Sequence, residues 1–230
     1  MADPALEIDS LVYRYGGADG FDLKAAGLRL EAGQETLIVG PSGCGKSTLL
    51  HLVAGLAEPA SGTVRVAGRN MHALKGPERD AYRAVHLGMV FQTHHLLHGF
   101  TALENVMMAL AFTKKIPRTE HEPRARELLT RLGIDRPAAT PDRLSVGQQQ
   151  RVAIARALAA GPDLVLADEP TASLDPPRAA EAIDLLREAC AERNAALLCV
   201  SHDPMLVDRF DRVESLGDLS GINAESAEVR

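Results

Sequence analysis

Tryptophan is absent from this 230-residue chain, and aromatic residues make up only 3% of it. Basic residues are outnumbered, with 25 Lys+Arg against 31 Asp+Glu and a formal net charge of −6. A dedicated nucleic-acid binder relies on basic clusters and aromatic stacking platforms, so no nucleic-acid partner is expected. Long apolar runs are missing too. Stretches such as residues 106–112 and 195–200 fall far short of the ~20 residues needed to span a bilayer. The N-terminus, MADPALEIDS, has neither the basic nor the apolar segment of a secretory signal, and a cytoplasmic chain is the expectation. Cysteine is scarce: Cys44, Cys190 and Cys199 are odd in number and form no CxxC pair. That pattern fits neither a disulfide framework nor a zinc site, and three reduced thiols are expected.

What the chain does contain is core material. Its hydrophobic content is 46%, and a chain of this length buries roughly 70–75% of its unfolded surface. Short apolar runs separated by glycine turns predict strands over residues 6–15, 27–30, 35–39 and 62–67, with a first helix over 46–56. Helical spacing returns over 101–132 (Leu103, Val106, Met107, Leu110, then Leu128, Leu129, Leu132), interrupted by a charged, proline-containing stretch at 114–123. A helix over 146–159, a buried-type strand at 164–167, a helix over 176–192 and an all-apolar strand at 197–200 follow. This alternation predicts a parallel α/β sheet, with residues 218–230 as a polar tail.

Residues 40–48 read GPSGCGKST, a complete GxxxxGK[ST] pattern placed between an apolar strand and a helix. Gly40, Gly43 and Gly45, with Pro41, Ser42 and Cys44 between them, allow backbone N–H groups to turn inward around phosphate oxygens. The helix N-terminus adds its partial positive charge there. Lys46 is expected at the β- and γ-phosphates, Ser47 on Mg²⁺, and Thr48 beside them. The loop alone predicts a nucleoside triphosphate and leaves kinases, GTPases and ATPases open. A second site, DLVLADE at 163–169, narrows the choice, because it ends an apolar strand in two adjacent carboxylates. Asp168 is expected to hold the Mg²⁺ shell and Glu169 to accept a proton from the attacking water. The plainer alternative is a pair of solvated surface acids.

Two further segments, LSVGQQQR at 144–151 and SHD at 201–203, complete a set with a known parallel. The sequence resembles the nucleotide-binding subunit of an ATP-binding cassette (ABC) transporter over nearly its whole length. The resemblance implies a P-loop NTPase (RecA-like) α/β core with an N-terminal antiparallel β-subdomain and a helical insertion. In numbers, it implies a core of 1–90 and 160–217, an insertion of 91–159 and a tail of 218–230. It implies that Tyr15 stacks on adenine, that Gln92 reports on γ-phosphate or Mg²⁺, and that His202 contacts the γ-phosphate. It also implies that Ser173, Leu174 and Asp175 form the family's D-loop, with Asp175 among the nucleotide-binding residues. Ser145, Gly147 and Gln148 precede a helix and make a second anion-seeking N-terminus about a hundred positions from the first. The family's answer to two such ends in one chain is a head-to-tail homodimer closed around two ATP. Val146 departs from the glycine commonest in the family; valine resists positive φ and adds bulk, which leaves the backbone geometry of the cap open. Function is expected to survive, because some members of the lipoprotein-releasing and macrolide-exporter subgroup also read LSVGQQQR.

The stretch at 91–106 (FQTHHLLHGFTALENV) and LADEPTASLD at 166–175 look like the bacterial subgroup of lipoprotein-releasing and macrolide-exporter ATPases. That likeness implies an integral membrane permease partner, a possible periplasmic partner through it, and a location on the cytoplasmic face of the inner membrane. A cell-division ABC module that transmits force without moving substrate is the alternative. His94, His95 and His98 invite a metal reading, but no carboxylate or cysteine completes a set, and a mixed apolar and histidine face for the membrane partner is expected instead. Cys44 inside the phosphate loop is a candidate redox-sensitive thiol, against the plainer role of a small inert residue.

Overall fold

The computed structural model describes residues 3–16 and 22–219. Among the described residues, nine strands divide between two sheets. The first is antiparallel, in the order β2-β1-β4-β5, from β1 (Leu6–Arg14), β2 (Asp22–Leu30), β4 (Ser61–Val66) and β5 (Arg69–Asn70). The second is parallel, in the order β6-β7-β8-β3-β9, from β3 (Glu35–Val39), β6 (Leu87–Val90), β7 (Leu164–Asp168), β8 (Ala196–Ser201) and β9 (Val213–Ser215). Helices α1 (Lys46–Val53), α2 (Pro77–His86), α3 (Ala102–Ala111), α4 (Arg118–Arg131), α5 (Val146–Leu158), α6 (Pro176–Ala191), the single turn α7 (Leu216–Leu219) and 3₁₀ segments at Pro141–Arg143 and Pro204–Arg209 complete the described elements.

The central strands β7 and β8 of the parallel sheet are buried on both faces, which is why they read as continuous apolar runs. Alternate residues serve different cores. Ile38, Leu164, Leu166, Leu198 and Val200 pack with α1 and the antiparallel sheet, whereas Leu37, Val165, Ala167, Leu197 and Cys199 pack with residues of α3 to α6. The two-residue period of a strand thus clamps the sheet between two layers. Burial pushes the thiols of Cys190, to about 12, and Cys199 far above the usual cysteine range, and both thiols are free.

Several expectations need correction. Strand β2 starts five residues earlier than its apolar run, because the inward positions change parity from Leu23 and Ala25 to Leu28 and Leu30. The same flip occurs in β1, between Ile8 and Leu11, at Ser10 with φ 50°, beside a register shift against β4. The interruption expected at 114–123 is shorter: α4 begins at Arg118 and carries Pro123 inside it on an exposed position. The polar tail expected from 218 does not start there, since Asp218 and the buried Leu219 belong to α7; the rest of that expectation, 220–230, lies outside the described residues. Helix α2 was not foreseen because none of its residues is buried, leaving no apolar stripe to read. Its end signals are present nonetheless: Pro77 at the first turn, Glu78 and Asp80 near the N-terminus, Arg83 and His86 in the last turn.

Candidate functional site

Four segments converge at the C-terminal edge of the parallel sheet: the loop after β3, Gln92 after β6, Asp168 and Glu169 at the end of β7, and Ser201–His202 at the end of β8. Ligands in open α/β sheets gather at this edge. The strand order places β8 between β3 and β7, with Val39 opposite Ser201 and Asp168 opposite Val200. A cleft of about 360 Å³ lies there, lined by Tyr15, Ser42, Gly43, Gly45, Lys46, Ser47, Thr48, Gln92, Glu169 and His202.

The loop wraps the start of α1. Gly43 and Gly45 hold φ at 81° and 105°, values that side-chain-bearing residues rarely adopt. Gly45 is the N-cap of α1 and has no side chain to engage the first N–H groups of the helix, which are the groups an anion would accept. Lys46 is 6% exposed; its Nζ donates to the carbonyls of Gly40 at 2.8 Å and Pro41 at 3.1 Å and lies 3.5 Å from Glu169 Oε1. The Tyr15 hydroxyl donates to Thr48 Oγ1. Tyr13 meets Tyr15 edge to face at 5.0 Å, but only Tyr15 lines the cleft.

The two carboxylates differ in environment. Ser47 Oγ donates to Asp168 Oδ1 at 2.9 Å. Burial raises the Asp168 carboxyl above its ordinary range against that hydrogen bond, and the charge of Glu169 adds to the rise. A hydroxyl and a carboxylate oxygen held together are hard donors of the kind Mg²⁺ prefers, so the residues fit that ion. Glu169 is tied to β8 instead. Its N–H donates to the Val200 carbonyl, while its Oε2 accepts from Ser201 Oγ at 2.9 Å and the His202 N–H at 3.3 Å. Its Oε1 lies 2.8 Å from His202 Nδ1. Burial pushes this carboxyl up, but the hydrogen bonds from His202 and Ser201 outweigh it and hold the group below the usual glutamate range. Glu169 is therefore ionised at neutral pH. Its φ of 45° is left-handed, a strained conformation for a residue with a side chain, and one that clusters at functional sites.

A second cleft, of about 300 Å³, is lined by Gly133, Ser145, Gly147, Gln148, Arg151, Leu174, Arg178, Glu181 and Ala182. It shares no residue with the first. Ser145 is the N-cap of α5: its Oγ accepts from the Gln148 N–H at 3.2 Å, and its own N–H donates to Gln148 Oε1 at 3.0 Å. Asp175 caps α6 by accepting from the Arg178 N–H at 3.2 Å and lines neither cleft. The structure thus gathers Tyr15, Gln92, Glu169 and His202 around the phosphate loop and leaves Ser145, Gly147, Gln148 and Asp175 elsewhere on the chain.

The family model described as ABC transporter matches residues 23–172. The chain belongs to the ABC transporter family. Curated relatives include lipoprotein-releasing system ATP-binding proteins LolD of Gluconobacter oxydans, 45% identical over 93% of this chain and 94% of that one. That of Chromohalobacter salexigens is 43% identical over 89% and 86%. Among solved structures, a dimeric ABC cassette in a post-hydrolysis state bound to ADP and Pi superposes with a TM-score of 0.81 at 34% identity, covering 91% of this chain and 93% of that one. As the ATPase domain of an ABC transporter, this chain binds ATP and couples its hydrolysis to transport.

Seen as an ABC ATPase, the chain settles one open point and corrects one expectation. Val146 does not need positive φ: it opens α5 inside the helix, 45% exposed, so the valine meets no backbone obstacle. His94 does not join a histidine face, being 7% exposed, with burial lowering its basicity; the exposed His95 ring packs edge to face on Phe91 at 5.0 Å. Two residues of the ATPase stayed unmarked in sequence. Ser201, fully buried, carries the hydroxyl on Glu169, and Arg156 of α5 donates to the carbonyls of His94 and His95, both at 2.6 Å. Ser201 lies inside the SHD segment, where only the histidine carries a family role, and Arg156 has no signal beyond its place in the helix after LSVGQ.

Proposed function

We propose that the chain is the ATPase subunit of a lipoprotein-releasing type of ABC transporter, working as a head-to-tail homodimer with an integral membrane permease on the cytoplasmic face of the bacterial inner membrane. The observation that carries this reading is the presence of two helix N-termini suited to phosphate, each opening a separate cleft of one chain. One chain offers the second terminus to a phosphate bound by another copy. The identity of 42–45% to proteins named for lipoprotein release supports the substrate class.

In the first cleft, Lys46 turns from the Gly40 and Pro41 carbonyls to the β- and γ-phosphates while Tyr15 receives the adenine. Ser47 and Asp168 would hold Mg²⁺, with Gln92 reaching it on closure; the ion supplies charge neutralisation along the phosphates. Glu169 accepts the proton of the attacking water as its oxygen bonds to the γ-phosphorus and the bond to the bridging oxygen breaks. His202, 2.8 Å from Glu169, positions that water against the γ-phosphate.

The permease docks in a groove of about 460 Å³ between α2, β6, α3 and α5, whose walls include Arg83, Met89, Phe91, Ala109 and Phe112. Phe112 is 69% exposed, an apolar anchor awaiting a partner. The test is purification from detergent-solubilised membranes. The wild-type chain is expected to bring down a permease and Phe112→Asp to lose it; recovery of an equal amount with Phe112→Asp would overturn this docking surface.

A further inference from the structure

We infer that Ser201 is a positioning residue for hydrolysis, holding one oxygen of the Glu169 carboxylate so that the other faces the cleft. This inference rests on Glu169 being the base, as proposed above. The two oxygens of the ionised Glu169 carboxylate are equivalent, so what must be fixed is the orientation of the group, with one oxygen held and the other turned to the cleft. The fixing comes from three consecutive residues at the end of β8. The Val200 carbonyl accepts from the Glu169 N–H at 3.0 Å, and Ser201 Oγ and the His202 N–H both donate to Oε2. Oε2 is thereby committed to β8. Oε1 is left facing Lys46 Nζ at 3.5 Å and His202 Nδ1 at 2.8 Å, on the side where phosphate and water arrive.

The Ser201 hydroxyl is itself fixed. It is fully buried, and its oxygen accepts the Asp203 N–H at 3.0 Å, which leaves its proton directed at Glu169. A buried hydroxyl donating to a carboxylate is a charge-assisted bond, stronger than a neutral one. Losing it frees the carboxylate to turn away, so the population with a carboxylate oxygen in line for the water falls while the phosphate-binding loop is untouched. The effect belongs in turnover and not in nucleotide affinity.

Three variants in the full chain test this. Ser201→Ala is expected to lower kcat about tenfold, the loss of one charge-assisted bond, with the Kd for ATP within about twofold of wild type. Ser201→Thr keeps the hydroxyl and is expected to recover most of the rate. In single-turnover measurements, Ser201→Ala added to Glu169→Gln is expected to slow the residual hydrolysis no further, because the group it positions is gone. Wild-type kcat in Ser201→Ala would overturn the inference. So would a Ser201→Thr protein as slow as Ser201→Ala at an equal melting temperature, or full additivity in the double variant. If Glu169→Gln alone turned over at the wild-type rate, the assignment of the base would fail instead, which separates the two.

Discussion

Replacing Ser145 by arginine separates the two clefts in one experiment. Ser145 closes a reciprocal cap with Gln148 at the start of α5, and losing such a cap costs about 1 kcal/mol. In a chain of this size that lowers the melting temperature by about 2–4 °C, so the variant stays folded. Because the cleft that holds Ser145 shares no residue with the cleft around Lys46, the Kd for ATP should stay within about twofold of wild type, a change below 0.5 kcal/mol. Turnover should fall by a factor of about a hundred or more, since in the proposed head-to-tail dimer an arginine at the helix N-terminus fills the space the partner's γ-phosphate would enter. Nucleotide affinity by fluorescence titration, melting by calorimetry and phosphate release by a coupled assay report the three quantities on one preparation. A drop in affinity that matches the drop in turnover would refute the reasoning, because Ser145 would then serve the nucleotide of its own chain.

Two further outcomes follow from local geometry. A Cβ at Gly62, where φ is 91°, would sit 2.4 Å from the Ser10 carbonyl oxygen and 2.5 Å from Leu11 Cα, so Gly62→Ala should destabilise the chain by about 1–3 kcal/mol; an unchanged denaturation midpoint would contradict the bulge geometry. His86 Nδ1 lies 2.6 Å from Asp163 Oδ2 and holds that carboxyl below the usual aspartate range, a contribution present above the ordinary carboxylate pKa and lost as pH falls through the depressed value. The melting-temperature gap between wild type and His86→Ala should therefore narrow below about pH 4, and a gap that persists unchanged into strong acid would argue against the pair.

The parts of this molecule that could be read before the fold was known are those where one local rule dominates. The parallel strands declared themselves because burial on both faces leaves no polar residue at 164–167 or 197–200. The phosphate loop and α5 followed from fixed spacings that a turn or a helix start imposes. Helix α2 and the first half of β2 were illegible by apolar pattern, one having no buried residue and the other changing parity midway. At the site, residue types showed which side chains matter but not how they are held. That Lys46 rests on two carbonyls, that Glu169 is left-handed and roped to β8, and that Ser201 lies beneath it are consequences of strand order, and strand order is long-range information.

The central claim is that ATP joins two copies of this chain, each supplying the phosphate loop of one site and the Ser145 helix of the other. Glu169→Gln removes the proposed base while leaving both clefts in place, so bound ATP should persist and hold the pair closed. Light scattering on that variant with saturating ATP and Mg²⁺ is the direct test: a mass near twice that of one chain is predicted, falling back to one chain when Ser145→Arg is added. A single-chain mass for Glu169→Gln under those conditions, with ATP shown to be bound, would contradict the account.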